Sequence, residues 1–364
     1  MSWILSIVLA FAAIRFWISF FNWLSRPYFK PLSAEVKNKV SVLIPARNEA
    51  VSIGTVLQSV LASEGVAFEV MVLDDHSEDE TAAIVQKFAA MDRRLQLIRA
   101  ENLPVGWLGK SWACHQLALA ATGDWLVFLD ADVVVTPHAL HYAVATAEKQ
   151  NLAGLSVFPN QQMLGWGEWL TVPLMHQLLL SMLPLSFIHW FKNPTLAAAN
   201  GQCMVFRATD YREQCWHEQV KTEIVEDIAI FRKMKKAGKK VMTLCDPSGL
   251  LLCRMYRSLY QGIAGFSKNV LSGFGNSISF LLFYLVLTAY SWPLLWWLGA
   301  RIQLAGLILV VLSIRVFVSL SAGQPLMKNL VLHFPQLLVF HLIAWKSIYQ
   351  RLTGNYVWKG RKLS

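Results

Sequence analysis

Apolar and polar positions along the chain fall into three regimes. Residues 3–24 are apolar apart from serines, Arg15 and Asn22, and the basic series Arg26, Lys30, Lys37 and Lys39 follows. About 20 such residues suffice to cross a bilayer core. The run is long and lacks a clear small-residue cleavage site, which argues against a removable signal peptide. From residue 40 the pattern changes. Short β-rich runs at 40–44, 68–73, 95–98 and 125–129 alternate with helically spaced segments at 48–62, 81–91, 110–121 and 136–150. This alternation predicts an α/β fold with a mostly parallel, Rossmann-like sheet covered by helices, whose ligands bind beyond the carboxyl ends of the strands. After residue 277 the apolar runs return. Residues 278–300 and 302–322, the latter containing Arg315, predict spans. Residues 330–345 carry His333, Pro335, Gln336 and His341 and predict either a third span or an interfacial helix. Residues 164–191 are also apolar, but Pro173 and Pro184 interrupt them, so they predict an amphipathic segment lying in the interface.

The organisation is then a transmembrane helix at 1–26, an α/β domain at 40–260, a C-terminal membrane region at 278–345 and a basic tail at 346–364. Composition agrees with it. Of the 364 residues, 55% are hydrophobic and 15% charged, against about 25% charged in ordinary soluble domains. A disordered, collagenous or disulfide-stapled chain is excluded. Five cysteines without CxxC spacing give neither a disulfide framework nor a zinc ribbon, and a reducing compartment is the simplest setting.

The net charge of +10 changes meaning once it is divided along the chain. Residues 1–39 hold 5 Lys/Arg and 1 acid, residues 276–364 hold 8 Lys/Arg and no acid, and the middle is left at −2. The positive charge therefore belongs to the apolar flanks, and no nucleic-acid partner is expected. By the positive-inside rule the protein is a multi-pass protein of the cell membrane, with the middle domain and the tail cytoplasmic. Arg15 and Arg315 are costly within apolar runs. They either snorkel to the headgroups or contact a polar, lipid-like ligand.

The unusual polar residues sit at strand ends: Pro45-Ala46-Arg47-Asn48-Glu49, Asp74-Asp75 and Asp130-Ala131-Asp132. Three acidic clusters at neighbouring strand ends repel unless a cation or hydrogen-bond donors lie between them. A divalent ion of the Mg²⁺ type takes a few carboxylates plus phosphate oxygens and water, so the arrangement points to a metal-bridged diphosphate. An Asp-x-Asp alone is equally a turn; its place directly after WLVFL favours a site. No GxxxxGK[ST] loop or strand-bound GxGxxG occurs. Glu226 and Asp227 open an amphipathic helical segment that ends in Lys233, Lys235 and Lys236, charges that also suit the helix dipole. His138 and His141 have helical spacing, but no acid or cysteine completes a metal site. Cys114 and His115 are adjacent on a helix and point apart.

The ordered series SVLIPARNE (41–49), VMVLDDHSEDET (70–81), GWLGKSWACHQLALAATGDWLVFLDAD (106–132) and VED (225–227) resembles the inverting family-2 glycosyltransferases of the GT-A fold. The resemblance covers about residues 40–260. It implies a nucleotide-sugar donor, of the UDP type by preference, and a divalent cation, Mg²⁺ or Mn²⁺. It implies that Pro45, Arg47 and Glu49 at the first strand end and Asp74 hold the nucleotide, with Asp74 reading the base. Lys110 approaches the diphosphate, Asp130 contacts the nucleoside and Asp132 holds the metal. Asp227 is implied as the base, with Glu226 second, and Asn200, Gly201 and Gln202 as the loop beside sugar and acceptor. The QxxRW motif of processive synthases is missing. Arg254 stands near its place and could contact diphosphate, but the absence of the motif argues against a polymerising enzyme and for transfer of a single sugar. The segments GWLGK, RMYRSLYQG and TGNYVWKGR look closest to membrane-bound carotenoid glycosyltransferases, and hopanoid-associated enzymes share much of the pattern. Both imply a lipid acceptor. A polyprenyl-phosphate acceptor and a non-catalytic membrane scaffold remain alternatives, and the oligomeric state stays open.

Overall fold

A computed structural model describes residues 2–354 and two short strands, Val357–Trp358 and Arg361–Lys362; Lys359 of the basic tail lies outside the described residues. The chain divides into two compact units. One comprises residues 27–162 and 185–254, the other residues 1–26, 163–184 and 255–364. The apolar stretch 164–191 therefore splits at Pro184, where the pattern alone had kept it whole with the catalytic domain.

The first unit is built on ten strands: β1 Val40–Ala46, β2 Phe68–Asp74, β3 Leu95–Arg99, β4 Trp125–Leu129, β5 Val133–Val135, β6 Gly154–Phe158, β7 Asn160–Gln161, β8 Cys203–Arg207, β9 Val241–Cys245 and β10 Leu251–Cys253. Seven form the main sheet in the order β3-β2-β1-β4-β8-β6-β9. All its pairings are parallel except those of β8, which runs against both β4 and β6. The strands β1, β2 and β4 are almost wholly buried, as strands covered on both faces must be. The helix Ile53–Leu61 buries Ile53, Val56, Leu57 and Val60, an i, i+3, i+4, i+7 stripe. A second, smaller sheet, β5-β10-β7, has no counterpart among the strands that the sequence pattern predicts. Its strands are two or three residues long, too short for a periodic signal.

Two loops at the carboxyl edge are stitched together. Asn48 takes a left-handed conformation with φ of 52°. Its backbone N–H donates to Ser77 Oγ, and its side-chain oxygen accepts from the Glu78 N–H. Glu49 N–H donates to Thr81 Oγ1 and Ala50 N–H to Asp79. The polar run HSEDET is thus consumed in fixing the loop after β1.

In the second unit, three helical stretches are long and apolar enough to cross a membrane: Leu5–Ser25, Ile278–Trp297 and Arg301–Ser321. The middle one contains a π-helical turn at Val286–Tyr290. The shorter apolar run at 330–345 is not among them. It falls within the helix His333–Thr353, which buries Val339, Phe340, Ile343, Ala344 and Ile348 in a cluster with Val270, Leu271 and Phe274. Its polar positions have internal uses. Gln336 donates to the Trp169 carbonyl and to Asn329 Oδ1, while Asn329 donates to Ser319 Oγ and Gln324 Oε1. Trp3, Trp17, Trp296, Trp297, Ile302 and Leu309 are exposed, as lipid-facing side chains would be.

Candidate active site

The site lies where β4 ends. Asp130 follows the all-buried strand WLVFL, and its backbone N–H donates to the Gln202 carbonyl. Lys110, in the first turn of the helix Gly109–Ala120, places Nζ 2.9 Å from Asp130 Oδ1 and 3.1 Å from Glu226 Oε1. One cation thus joins two acids that lie 96 positions apart in sequence. Burial works against the lysine charge, but Asp130 and Glu226 hold Lys110 well above the usual range. Burial likewise would raise Glu226, yet Lys110 outweighs it and keeps the carboxylate below its ordinary value. Burial does raise Asp130, against the pull of Lys110.

Asp227 has a different setting. Its Oδ2 accepts the Gly201 N–H at 2.8 Å, and its Oδ1 accepts the N–H of Ile228 at 2.7 Å. Burial first, and the neighbouring Glu226 charge second, push it up to about 7. Of two adjacent acids, one is held ionised by a lysine and the other is poised near neutrality. Environments that separate paired carboxylates in this way mark acid–base assignments.

The loop Asn200-Gly201-Gln202 is fixed from below. Asn200 N–H donates to Ser156 Oγ, Gln202 N–H to Asn200 Oδ1, and Asn200 Nδ2 to Gln202 Oε1. Gln161 Nε2 donates to the same Gln202 oxygen, and Gln202 Nε2 donates to Cys253 Sγ at 2.9 Å. A Cβ at Gly201 would sit 2.9 Å from Lys110 Nζ, 3.4 Å from Glu226 and 3.7 Å from Asp227. A methyl group there would displace Lys110 Nζ, while Glu226 and Asp227 would stand at van der Waals distance from it.

Asp132 completes the cluster. Burial, then the charges of Asp130 and Glu49, push it up to about 7. Its Oδ1 is buried with no hydrogen-bond partner among the described residues. Those residues contain no group of three or more His, Cys, Asp or Glu able to hold a metal ion by themselves. An ion of the Mg²⁺ type does not require one, because it takes one or two carboxylates and fills its shell with phosphate oxygens and water. The orphaned Asp132 oxygen fits that chemistry.

Along the carboxyl edge, Asp74 at the end of β2 is buried and accepts from Arg99 Nη1 at 2.7 Å. The two are register partners across β2 and β3. Arg47 donates to the Asp75 carbonyl at 2.8 Å. Pro45 lies within β1, and Arg254 directly follows β10. Sequence reasoning missed Arg99, Gln161 and Cys253. The arginine was detectable, since an acid and a base end neighbouring parallel strands; the other two are short-range partners of a loop whose path the sequence does not display. His138 faces Glu64 at 3.7 Å and His141 donates through Nδ1 to the Gly65 carbonyl at 2.8 Å, so the two histidines have separate structural partners.

Residues 41–214 match the family model described as glycosyl transferase family 2. Similar curated proteins include a 4,4'-diaponeurosporenoate glycosyltransferase of Staphylococcus haemolyticus, 27% identical over 77% of this chain and 72% of that protein. The 4,4'-diaponeurosporenoate glycosyltransferase of Staphylococcus aureus (strain USA300) is 25% identical over 89% of this chain and 88% of its own. Among solved structures, a mannosyltransferase from Pyrobaculum calidifontis, in complex with GDP-Man and Mn²⁺, superposes with a TM-score of 0.58 at 17% identity, covering 91% of this chain and 98% of that one. The chain is a glycosyltransferase, and the domain that contains the family-2 match at residues 41–214 has the GT-A fold.

Proposed function

We propose that this enzyme moves a single sugar from a nucleotide-sugar, of the UDP type by preference, to a lipid acceptor in the membrane, with inversion at the anomeric carbon. The observation that carries the reading is the pairing of Glu226, held ionised by Lys110, with Asp227, held near neutrality by burial. Asp227 acts as the base, taking the proton of the acceptor hydroxyl or carboxyl as that oxygen attacks. The Gly201 N–H and the Ile228 N–H fix the orientation of its carboxylate. Lys110 lies on the side of the departing diphosphate and is itself oriented by Asp130 and Glu226. Asp132 would hold a divalent cation, Mg²⁺ or Mn²⁺, which when bound neutralises charge on the diphosphate. Asp74, fixed by Arg99 and keeping Oδ1 without a partner among the described residues, can accept an N–H from the base. Pro45, Arg47, Glu49 and Asp130 complete the nucleotide side, and Arg254 can approach the diphosphate. Asn200, Gly201 and Gln202 border the sugar.

The lipid acceptor is supported by the three apolar helices and by relatives named for glycosylating diaponeurosporenoate. The basic residues after the first span and in the tail favour a cytoplasmic catalytic domain. Two C-terminal spans, with residues 326–353 lying in the interface, return the chain to that side. Membranes bearing the enzyme, incubated with a panel of labelled nucleotide-sugars and Mn²⁺, should yield one glycosylated lipid by mass spectrometry of the extract. Water-soluble polymer as the sole product would overturn the assignment of the acceptor, and a strict requirement for a phosphate-bearing acceptor would transfer it to polyprenyl phosphates.

A further inference from the structure

Sugar transfer makes no use of two arginines inside the apolar unit. Arg15 lies at the middle of the stretch Leu5–Ser25, roughly 15 Å from its end at 1.5 Å per residue. It is 6% exposed, and Arg315, within Arg301–Ser321, is 2% exposed. Such burial shows that neither side chain reaches out to an aqueous surface. Both line a single cavity, whose wall is apolar at Leu174, Leu178, Val311 and Leu337 and polar at Gln177 and Thr288.

A guanidinium stays charged in proteins, and its fork of donors matches two-oxygen anions. The partners of these two are all neutral. Arg15 donates through Nε and Nη2 to Ser181 Oγ and lies over the rings of Phe11 and Tyr284 at 5.7 and 5.2 Å. Arg315 donates through Nε to His333 Nδ1 at 3.3 Å. A histidine that accepts at Nδ1 carries no charge, so it offers no compensation. The Nη1 of Arg315 is buried without a hydrogen-bond partner among the described residues. The sequence of this unit contains one acid, Glu168. That carboxylate accepts from the backbone N–H groups of Leu164 and Gly165 at a helix start. Two buried like charges facing one cavity without an internal counter-ion are strongly unfavourable unless an anion enters.

We propose that Arg15 and Arg315 together bind the oxyanion head group, carboxylate or phosphate, of a membrane lipid whose chain lies along the apolar lining of the cavity. The lining favours a lipid over a free anion: Leu174, Leu178, Val311 and Leu337 suit hydrocarbon and would gain nothing from a solvated ion. The inference does not rest on the reading of the sugar site.

The test uses the full-length protein in a neutral detergent. Oleate and phosphatidic acid are compared with oleyl alcohol, and inorganic phosphate serves as competitor. The expected result is at least a tenfold preference for the acids over the alcohol, falling toward unity in Arg315→Gln and Arg15→Gln and partly kept in Arg315→Lys. UDP binding and the elution profile report whether each variant is folded. The wild-type ratio of acid to alcohol is decisive without any variant. Equal binding of acid and alcohol by the wild type would overturn the proposal, as would an unchanged ratio in folded variants. Displacement of oleate by inorganic phosphate at equal concentration would reassign the site to a free anion and reject the lipid.

Discussion

The poised carboxylate of Asp227 makes a quantitative claim about pH. A base must be ionised to accept a proton, and burial together with the Glu226 charge pushes Asp227 up to about 7 from the ordinary carboxylate value of 3.8. The free enzyme therefore carries the competent form in about nine molecules of ten at pH 8 and about one in ten at pH 6. Activity per encounter, kcat/KM, should fall roughly tenfold between those values, because that ratio reports groups of the free enzyme. The assay is initial-rate transfer at saturating Mn²⁺, since a bound cation displaces the proton from any carboxylate that ligates it and so takes Asp132 out of the acid limb. Two variants test the cause. Asp227→Asn keeps an oxygen for the Gly201 N–H but cannot take a proton; about a hundredfold to ten-thousandfold of rate should vanish, and the acid limb with it. Glu226→Gln removes the like charge and frees Lys110, so both changes move the limb toward lower pH. Substantial turnover in Asp227→Asn with the limb intact would refute the assignment. So would a limb that moves upward in Glu226→Gln.

Two further outcomes follow from the same cluster. Gly201→Ala places a methyl group 2.9 Å from Lys110 Nζ; because the atom that must give way ends a flexible side chain, melting temperature should barely change while kcat drops by up to about a hundredfold, the cost of misplacing a reacting group by under an ångström. A large loss of melting temperature with retained kcat would contradict that geometry. Chelation of divalent cations should abolish transfer and be reversed by Mn²⁺, whereas Asp132→Ala should stay folded and inactive at any Mn²⁺ concentration, as followed by product mass spectrometry and circular dichroism.

What the sequence displayed was governed by range. Each of the four strands read from the apolar pattern is present within a few residues of its expected bounds: β1, β2 and β4 lie inside the sheet as nearly continuous apolar runs, and the edge strand β3, LQLIR, keeps three apolar positions in five. The strands β5, β7 and β10 were invisible for the opposite reason: two or three residues hold no period, and β5 and β10 pair across more than a hundred positions. At the site, the residue types and strand ends were legible, and the pairing was not. Lys110 was placed near a diphosphate by resemblance, but its bridge to both Asp130 and Glu226 depends on how β4 and the helix Glu226–Lys236 come together. The run 330–345 failed to decide between span and interface on pattern alone because its polar residues could be lipid-facing defects or internal hydrogen-bonding groups. The contacts of Gln336 with the Trp169 carbonyl and Asn329 show the second.

The arrangement also gives the glycine between Asn200 and Gln202 a use. Three carboxylates crowd one lysine, and their mutual repulsion has to be offset at close range by donors that add no bulk. A backbone N–H is the smallest such donor: that of Gly201 lies 2.8 Å from Asp227 Oδ2, and the absence of a Cβ leaves Lys110 Nζ its place beside it. Presenting it in a fixed direction in turn requires that the flanking side chains bond downward, which is what Asn200 and Gln202 do through Ser156, Gln161 and Cys253. A buried amide network spanning β6, β7, β8 and β10 is therefore spent on aiming a single N–H, and the reach of that network explains why both sheets are needed to build one side of the site. Loosening it at Gln202 would leave every charged residue in place and still release the orientation of the base.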